Sequence, residues 1–453
     1  MGITFVEKGD RSRPRPHAKI ALVLAGGAVT GGAFKIGGLI ALNTLLENRS
    51  VLDFDIYGGV SAGAFLAAPL AAGVSPEEML ASLEGHSPRI DRFNALDFYR
   101  PNWREAAAKP WQLVRDALLT VPAATEAAWA QVTEHRPELL TRARDFLLAP
   151  TYQTAEALVE PFITETLRHS RLRPGLSYVP SGLFDNRGIE RYLREQLRKN
   201  NVPNDFRLMH LERGKSLYIG ATNLNTAEGI VFGHDEDNSV TISEAVMAST
   251  AIPGFYRPAR IRGQDYIDAG VRRTANISQA VKRGATLVIA YNPFRPFVNY
   301  HTDQLLNGNT SISDMGIGTV INQAFRTMLH TRLMLGIEKL QMNPDFHGDV
   351  ILLEPSETDV KFFNMNPMNF WQRAESAFHG YVSATEAIER HHARIDHILR
   401  SYGIRTDIQR MRDRVERIRK AGFDERAIMK ELMVDLHPKP EAERPPVKLR
   451  VVR

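Results

Sequence analysis

The run Lys19–Ala25 (KIALVLA) is almost continuously apolar and is followed at once by glycines. A short run of that kind predicts a strand buried on both faces of a parallel sheet. Beyond the glycines, Phe34, Ile36, Leu39, Ile40, Leu45 and Leu46 recur at helical spacing, which predicts a helix over Ala33–Leu46. Phe54–Tyr57 reads as a second short strand, so the chain opens as β-loop-α-β. Further strands are predicted at Ser216–Ala221, Gly229–Phe232, Tyr266–Ile267, Leu287–Tyr291 and Val350–Leu353, with helices such as Glu244–Ala248 and Ser278–Arg283 between them. Strands alternating with helices favour an α/β sheet.

Residues 86 to about 180 break this rhythm: Arg, Ala, Pro and three Trp (Trp103, Trp111, Trp129) fall in helical patterns without a convincing strand. They read as a helical insertion. Amphipathic helices are predicted within 310–342 and 370–400, and a charged one over Asp407–Lys420 with Ile408, Met411, Val415 and Ile418 on one stripe. His437–Arg453 holds four prolines and reads as a flexible tail.

Composition narrows the function classes. A chain of 453 residues with 43% apolar and 24% charged residues is that of an ordinary globular protein. With no Cys, disulfide scaffolds, thiol chemistry and Cys-ligated metal centres are excluded. Residues 401–453 carry 14 Lys and Arg against 9 Asp and Glu, which accounts for the whole net charge of +5. Basic helices are drawn to anionic lipid surfaces, so peripheral membrane contact through this tail is one expectation. A solvated face with interleaved Asp407, Asp413 and Glu416 is the other. Nucleic-acid binding is not expected, because no aromatic interleaving accompanies the charge. The N-terminus lacks the apolar core of a signal peptide and no stretch reaches the roughly 20 residues of a bilayer span. A cytoplasmic location is therefore expected.

Three segments carry candidate chemistry. Gly59-Val60-Ser61-Ala62-Gly63 is a G-x-S-x-G between a predicted strand and an Ala-rich helical stretch. A serine on such a turn presents its hydroxyl at the sheet edge, and the glycines supply the room that the turn demands. Gly26-Gly27-Ala28-Val29-Thr30-Gly31-Gly32 also joins strand to helix and can aim several backbone N–H groups at one point. It matches neither common nucleotide fingerprint. Asp268-Ala269-Gly270 places an acid between a short strand and a glycine turn, where capping of the backbone is the plainer explanation.

Together these segments resemble the patatin-like phospholipase family in order and context. Ala221-Thr222-Asn223-Leu224-Asn225-Thr226 and Ala248-Ser249-Thr250-Ala251-Ile252-Pro253-Gly254-Phe255 strengthen the resemblance, which covers roughly residues 18–295. It implies a three-layer α/β/α fold with a mostly parallel central sheet, a helical insertion over about 86–180 and a helical C-terminal extension. The acyl hydrolase domain would span 18–400, with 401–453 as a basic helical and Pro-rich tail. It further implies a lipid or other acyl-ester substrate, no cofactor and no metal. The implied mechanism makes Ser61 the nucleophile, Asp268 its base and the N–H groups of Gly26, Gly27 and Ala28 the oxyanion hole, with Gly59, Gly63 and Gly270 as motif support. The family loop usually reads G-G-G-x-R/K-G with a His soon after; here Ala28 replaces the third glycine, the basic position falls on Thr30 or Gly31, and Lys35 stands near the usual His. Two alternatives stay open: a Ser-Asp-His α/β-hydrolase using His301 or His330, and a catalytically silent lipid-binding scaffold of the same fold. The aromatic and Met residues of Phe362–Trp371 could line an acyl pocket, although core packing is the commoner role. His391 and His392 are adjacent and offer little to a metal.

Overall fold

The computed structural model describes residues 2–12, 15–134, 136–151, 154, 157–160, 175–300, 311–420, 425–435 and 437. The predicted tail and His301 therefore lie outside the described residues, His437 apart. The strands among them are β1 (Gly2–Glu7), β2 (Lys19–Leu24), β3 (Ile56–Gly59), β4 (Gly182–Phe184), β5 (Ser216–Asn223), β6 (Gly229–Phe232), β7 (Gly254–Tyr256), β8 (Ala259–Ile261), β9 (Gln264–Asp268), β10 (Ala285–Tyr291) and β11 (Asp349–Glu354). The chain divides into two compact units, one of residues 1–100, 186–253 and 258–453, the other of residues 101–185 and 254–257.

The larger unit is built on a sheet in the order β1-β11-β10-β2-β3-β5-β9-β8, with β6 also paired to β5. Its centre, β11 to β5, is parallel, while β1, β6, β8 and β9 pair antiparallel at the edges. The apolar run at 19–25 explains that placement. Ala21 and Val23 of β2 face a cluster with Ile277, Ala280, Leu333 and Ile337, contributed by the helices Ile277–Lys282 and Ile317–Met342. Ile20, Leu22 and Leu24 point to the opposite face and are just as buried, as a strand covered on both sides requires.

The opposite face holds α1 (Ala28–Leu45), which is apolar all round and buried along most of its length. It is long and apolar enough to cross a membrane, yet nearly all of it is enclosed by the protein. Helix Arg373–Arg390 crosses it backbone to backbone: a methyl group on Gly380 would fall 2.0 Å from the Phe34 carbonyl oxygen. The helix after β3 is α2 (Ala62–Ala71).

Differences from the sequence reading have local causes. β3 begins two residues later than expected because Val51–Asp53 form a 3-10 turn whose Ser50 cap closes a capping box. The strand then takes up Gly58 and Gly59, for which propensity argues poorly but cross-strand pairing to β2 and β5 decides. β1, β4, β7 and β8 were not expected: β4, β7 and β8 are three residues long, β1 is a half-buried edge strand, and only pairing defines them. The insertion begins at Pro101 and not at 86, since Ile90, Phe93 and Phe98 are buried within the larger unit.

Residues past 401 also continue the larger unit. Tyr402, Met411 and Arg414 are fully buried, and the Arg414 guanidinium donates to Thr44 Oγ1 at 2.7 Å and to the Glu431 and Val434 carbonyls. Arg412 pairs with Glu389, and Arg417 with Glu431.

The smaller unit contains helices Trp103–Glu134 and Arg136–Leu148 and the parallel pair β4–β7. Asp185 and Arg257 form an ion pair of 3.3 Å there, and Trp103, Trp111 and Trp129 are all exposed.

The helix crossing yields a stability prediction. Gly380→Ala should cost about 2–3 kcal/mol, because the added carbon meets a backbone atom that cannot swing aside. Gly336→Ala, at a helical position with open space around it, should be neutral or stabilising by up to about 1 kcal/mol. Urea midpoints at unchanged m-value measure both.

Candidate active site

Ser61 links β3 to α2 with φ 55° and ψ −127°, a conformation that costs a non-glycine residue of the order of 1–3 kcal/mol. The neighbours hold it there. A methyl group on Gly59 would fall 2.4 Å from Cα of Ala64, and one on Gly63 would fall 2.1 Å from the Leu24 carbonyl oxygen, so neither flank accepts a larger residue. The Ser61 N–H donates to Ser249 Oγ at 2.8 Å, and Ser249 is fully buried. This elbow puts the hydroxyl at the end of the sheet, above the N-terminus of α2.

Register brings Asp268 to the same row. Gly59 pairs with Ile219 of β5, and Asp268 pairs with Ala221 two residues farther along β5, so Ser61 and Asp268 flank β5 at one level. The Asp268 N–H donates to the Ala251 carbonyl at 2.9 Å. The segment Ser249–Ala251 thus tethers the backbone of both residues, a role that its sequence pattern alone did not disclose.

Asp268 is buried, and its Oδ1 accepts the Gly270 N–H at 2.7 Å. Burial pushes its carboxyl up to about 6, while the Ser61 hydroxyl, the Gly270 N–H and the Lys35 ammonium pull the other way. Oδ2 is buried and has no well-aligned donor, so the hydroxyl acts on the carboxylate through proximity. Contacts of this kind are often loose in free enzymes and tighten with substrate bound.

The glycine loop lies against the serine. A methyl group on Gly26 would stand 3.3 Å from Ser61 Cβ and 2.9 Å from the Phe294 ring. Gly27 has φ 154°, and Ala28, where the family has glycine, is left-handed at φ 51°. That departure explains the family's preference, since an alanine there costs about 1–2 kcal/mol. Among the described residues no acceptor takes the N–H of Gly26, Gly27 or Ala28, whereas Val29 and Thr30 donate to the Pro367 carbonyl. Gly31 and Gly32 lie within the first turns of α1. Two helix N-termini, of α1 and α2, therefore meet beside Ser61 and favour negative charge there.

One residue of the site stood in the sequence only as a Lys near the family's usual His, with no role assigned. Lys35 on α1 is fully buried, its ammonium donating to the carbonyls of Ala25 and Gly26, the latter at 2.9 Å. Burial pushes it down to about 7, opposed by Asp268. The sequence signal for a role was a Lys inside an otherwise apolar helix.

Other candidates lie elsewhere. His330 faces Glu354 at 3.3 Å, at the end of β11. Among the described residues no histidine hydrogen-bonds Ser61 or Asp268, and no cluster of three or more His, Asp or Glu could hold a metal. Phe362, Phe363, Met365 and Phe370 are core residues, with Phe362 4.1 Å from Phe34, whereas Trp371 is exposed. An apolar cavity of about 50 Å³ opens beside α2, lined by Phe65, Leu66 and Pro69 and by Ile36, Met79 and Phe93.

A strained serine between strand and helix, level with a buried aspartate across one strand, defines an α/β protein with a strand–turn–helix serine elbow. Residues 22–281, more than half of the chain, match the patatin-like phospholipase model, and the chain belongs to that family. A stretch of 119 residues is 26% identical to a protein of invertebrate iridescent virus 6 described as a probable lipid hydrolase, covering 26% of this chain and 41% of that one. The chain thus matches less than half the length of this relative. Among solved structures, VipD from Legionella pneumophila is similar at 16% identity and a TM-score of 0.35, over 86% of this chain and 70% of that one. ExoU in complex with SpcU, from Pseudomonas aeruginosa, is similar at 13% identity and a TM-score of 0.25, over 87% and 66%.

The raised carboxyl predicts a pH effect on stability. Between its unfolded value of 3.8 and its folded value of about 6, native Asp268 keeps a proton that the unfolded chain has released. Native stability therefore falls as pH rises through that window, and the whole penalty is present above it. Asp268→Asn lacks this titration. Thermal melts should show it more stable than the parent by about 1–3 kcal/mol near pH 7.5, with the gain fading near pH 4.

Proposed function

We propose that this protein is a serine lipid acyl hydrolase, a carboxylic ester hydrolase of the phospholipase A or lysophospholipase type. The observation that carries the reading is the strained Ser61 beside the buried carboxylate of Asp268, with no histidine bonded to either among the described residues. In this reading Asp268 removes the proton from the Ser61 hydroxyl, and Oγ attacks the ester carbonyl carbon. The oxyanion that forms is met by the N–H groups of Gly26, Gly27 and Ala28; losing one such donor typically costs on the order of 10²–10³ in rate. Collapse expels the alcohol, which takes the proton from Asp268. Water then enters by the same route, giving its proton to Asp268, and releases the fatty acid.

A carboxyl near 6 suits this role. It is ionised at neutral pH yet basic enough to accept a proton in the transition state. The acyl chain of the intermediate is assigned to the cavity beside α2, since Phe65 follows Ser61 by one helical turn. At roughly 10–15 Å³ for each water-sized group, its about 50 Å³ suits a short part of a chain.

Covalent labelling tests the reading. A fluorophosphonate ester should label the parent at Ser61 alone, by intact mass and peptide mapping. Labelling should disappear in Ser61→Ala and fall by on the order of 10³-fold in Asp268→Asn. A well-folded parent that stays unlabelled with and without lipid vesicles would favour the silent lipid-binding scaffold. Labelling that is lost in His330→Gln would favour the triad. For the cavity, Leu66→Trp should shift the preference of p-nitrophenyl ester hydrolysis toward shorter chains; an unchanged chain-length profile would remove that assignment.

A further inference from the structure

The ammonium of Lys35 is enclosed at the root of the glycine loop; of the two carbonyls that it binds, that of Gly26 belongs to the loop and that of Ala25 immediately precedes it. Those carbonyls share their peptide units with the N–H groups of Gly26 and Gly27. In a trans peptide the C=O and N–H point in opposite directions, and no cis peptide is present among the described residues. An ammonium that draws both carbonyls toward α1 therefore turns both N–H groups away from α1. They are among the three loop N–H groups left without an acceptor, and Gly26 lies directly against Ser61.

The charge of Lys35 has a second target. Among the described residues Asp268 is the charged group that acts on Lys35, and Lys35 is the charged group that acts on Asp268; the uncharged Ser61 hydroxyl and Gly270 N–H complete the surroundings of the carboxylate. A buried ammonium with a single carboxylate in reach, and that carboxylate beside the nucleophile, is costly to keep in an apolar helix. Stability alone would favour Leu or Met at this position.

We propose that Lys35 is a positioning residue that braces the oxyanion loop through the Ala25 and Gly26 carbonyls. The role rests on the Ser61–Asp268 reading above.

The test uses the full chain with p-nitrophenyl esters across a pH series, with fluorophosphonate labelling rates measured in parallel. Lys35→Met should lower kcat/KM by on the order of 10²-fold, mostly in kcat, and should move the acid-side inflection upward because the carboxylate loses a nearby positive charge. Lys35→Arg, which keeps a cation and its donors, should hold that inflection at the parent value. A Lys35→Met variant with the parent's rate and inflection overturns the proposal. So does one whose loss lies in KM with kcat kept, because a braced oxyanion loop acts in the transition state. Should Lys35→Met not fold, Lys35→Gln keeps a shorter donor without the charge: a fall in kcat with KM held supports the proposal, and parent kinetics overturn it. Ser61→Ala, run alongside, separates the two readings. If it stays active, the dyad is wrong and the role of Lys35 falls with it; if it is dead while Lys35→Met equals the parent, the role of Lys35 alone fails.

Discussion

The backbone of Ser61 is the constraint on which the rest of the site depends. A non-glycine residue at φ 55° and ψ −127° persists only where its surroundings over-determine it. Here the surroundings are specific: β3 paired on both sides, two glycines with no room for a methyl group, and the Ser249 hydroxyl on the strained N–H. Each removes an escape route to a relaxed turn. The sheet supplies the rigidity, since β2, β3 and β5 are parallel neighbours near its middle.

Buried charge is the second cost of the site. Asp268 and Lys35 are held where water cannot solvate them, and each is pushed toward its neutral form by burial. Each also moderates the other. Burial thereby raises the carboxyl toward neutrality, where a solvated aspartate does not lie and where the proposed proton transfer is favoured. Strain at Ser61, a left-handed alanine at position 28 and two buried charges sit within one small region. A protein selected only for stability would carry none of them, which is why their coincidence argues for chemistry.

Much of the architecture was legible in the sequence because burial on both faces writes itself as an apolar run. Lys19–Ala25 was readable as a central strand on that ground, and Leu287–Tyr291 and Val350–Leu353 as strands; each lies in the parallel centre. Edge strands leave no such mark. β1 has only Val6 fully buried, and β8 is three residues long, so pairing partners and not composition define them. The charged helix at 408–420 shows the reverse case: its sequence suggests a solvated or membrane-facing face, yet Arg414 is fully buried with Thr44 and two carbonyls for partners.

By itself the sequence determined the class of protein and the two residues on which its chemistry is proposed to rest, because a serine elbow, a glycine loop and an acid before a glycine turn are local patterns. Tertiary structure decided what no local pattern can state. It set Ser61 and Asp268 on one row across β5, tied both to Ser249–Ala251, and placed Lys35 under the glycine loop. The reason is physical: hydrogen-bond register between strands distant in sequence fixes which side chains meet, and burial fixes what their charges cost once they do.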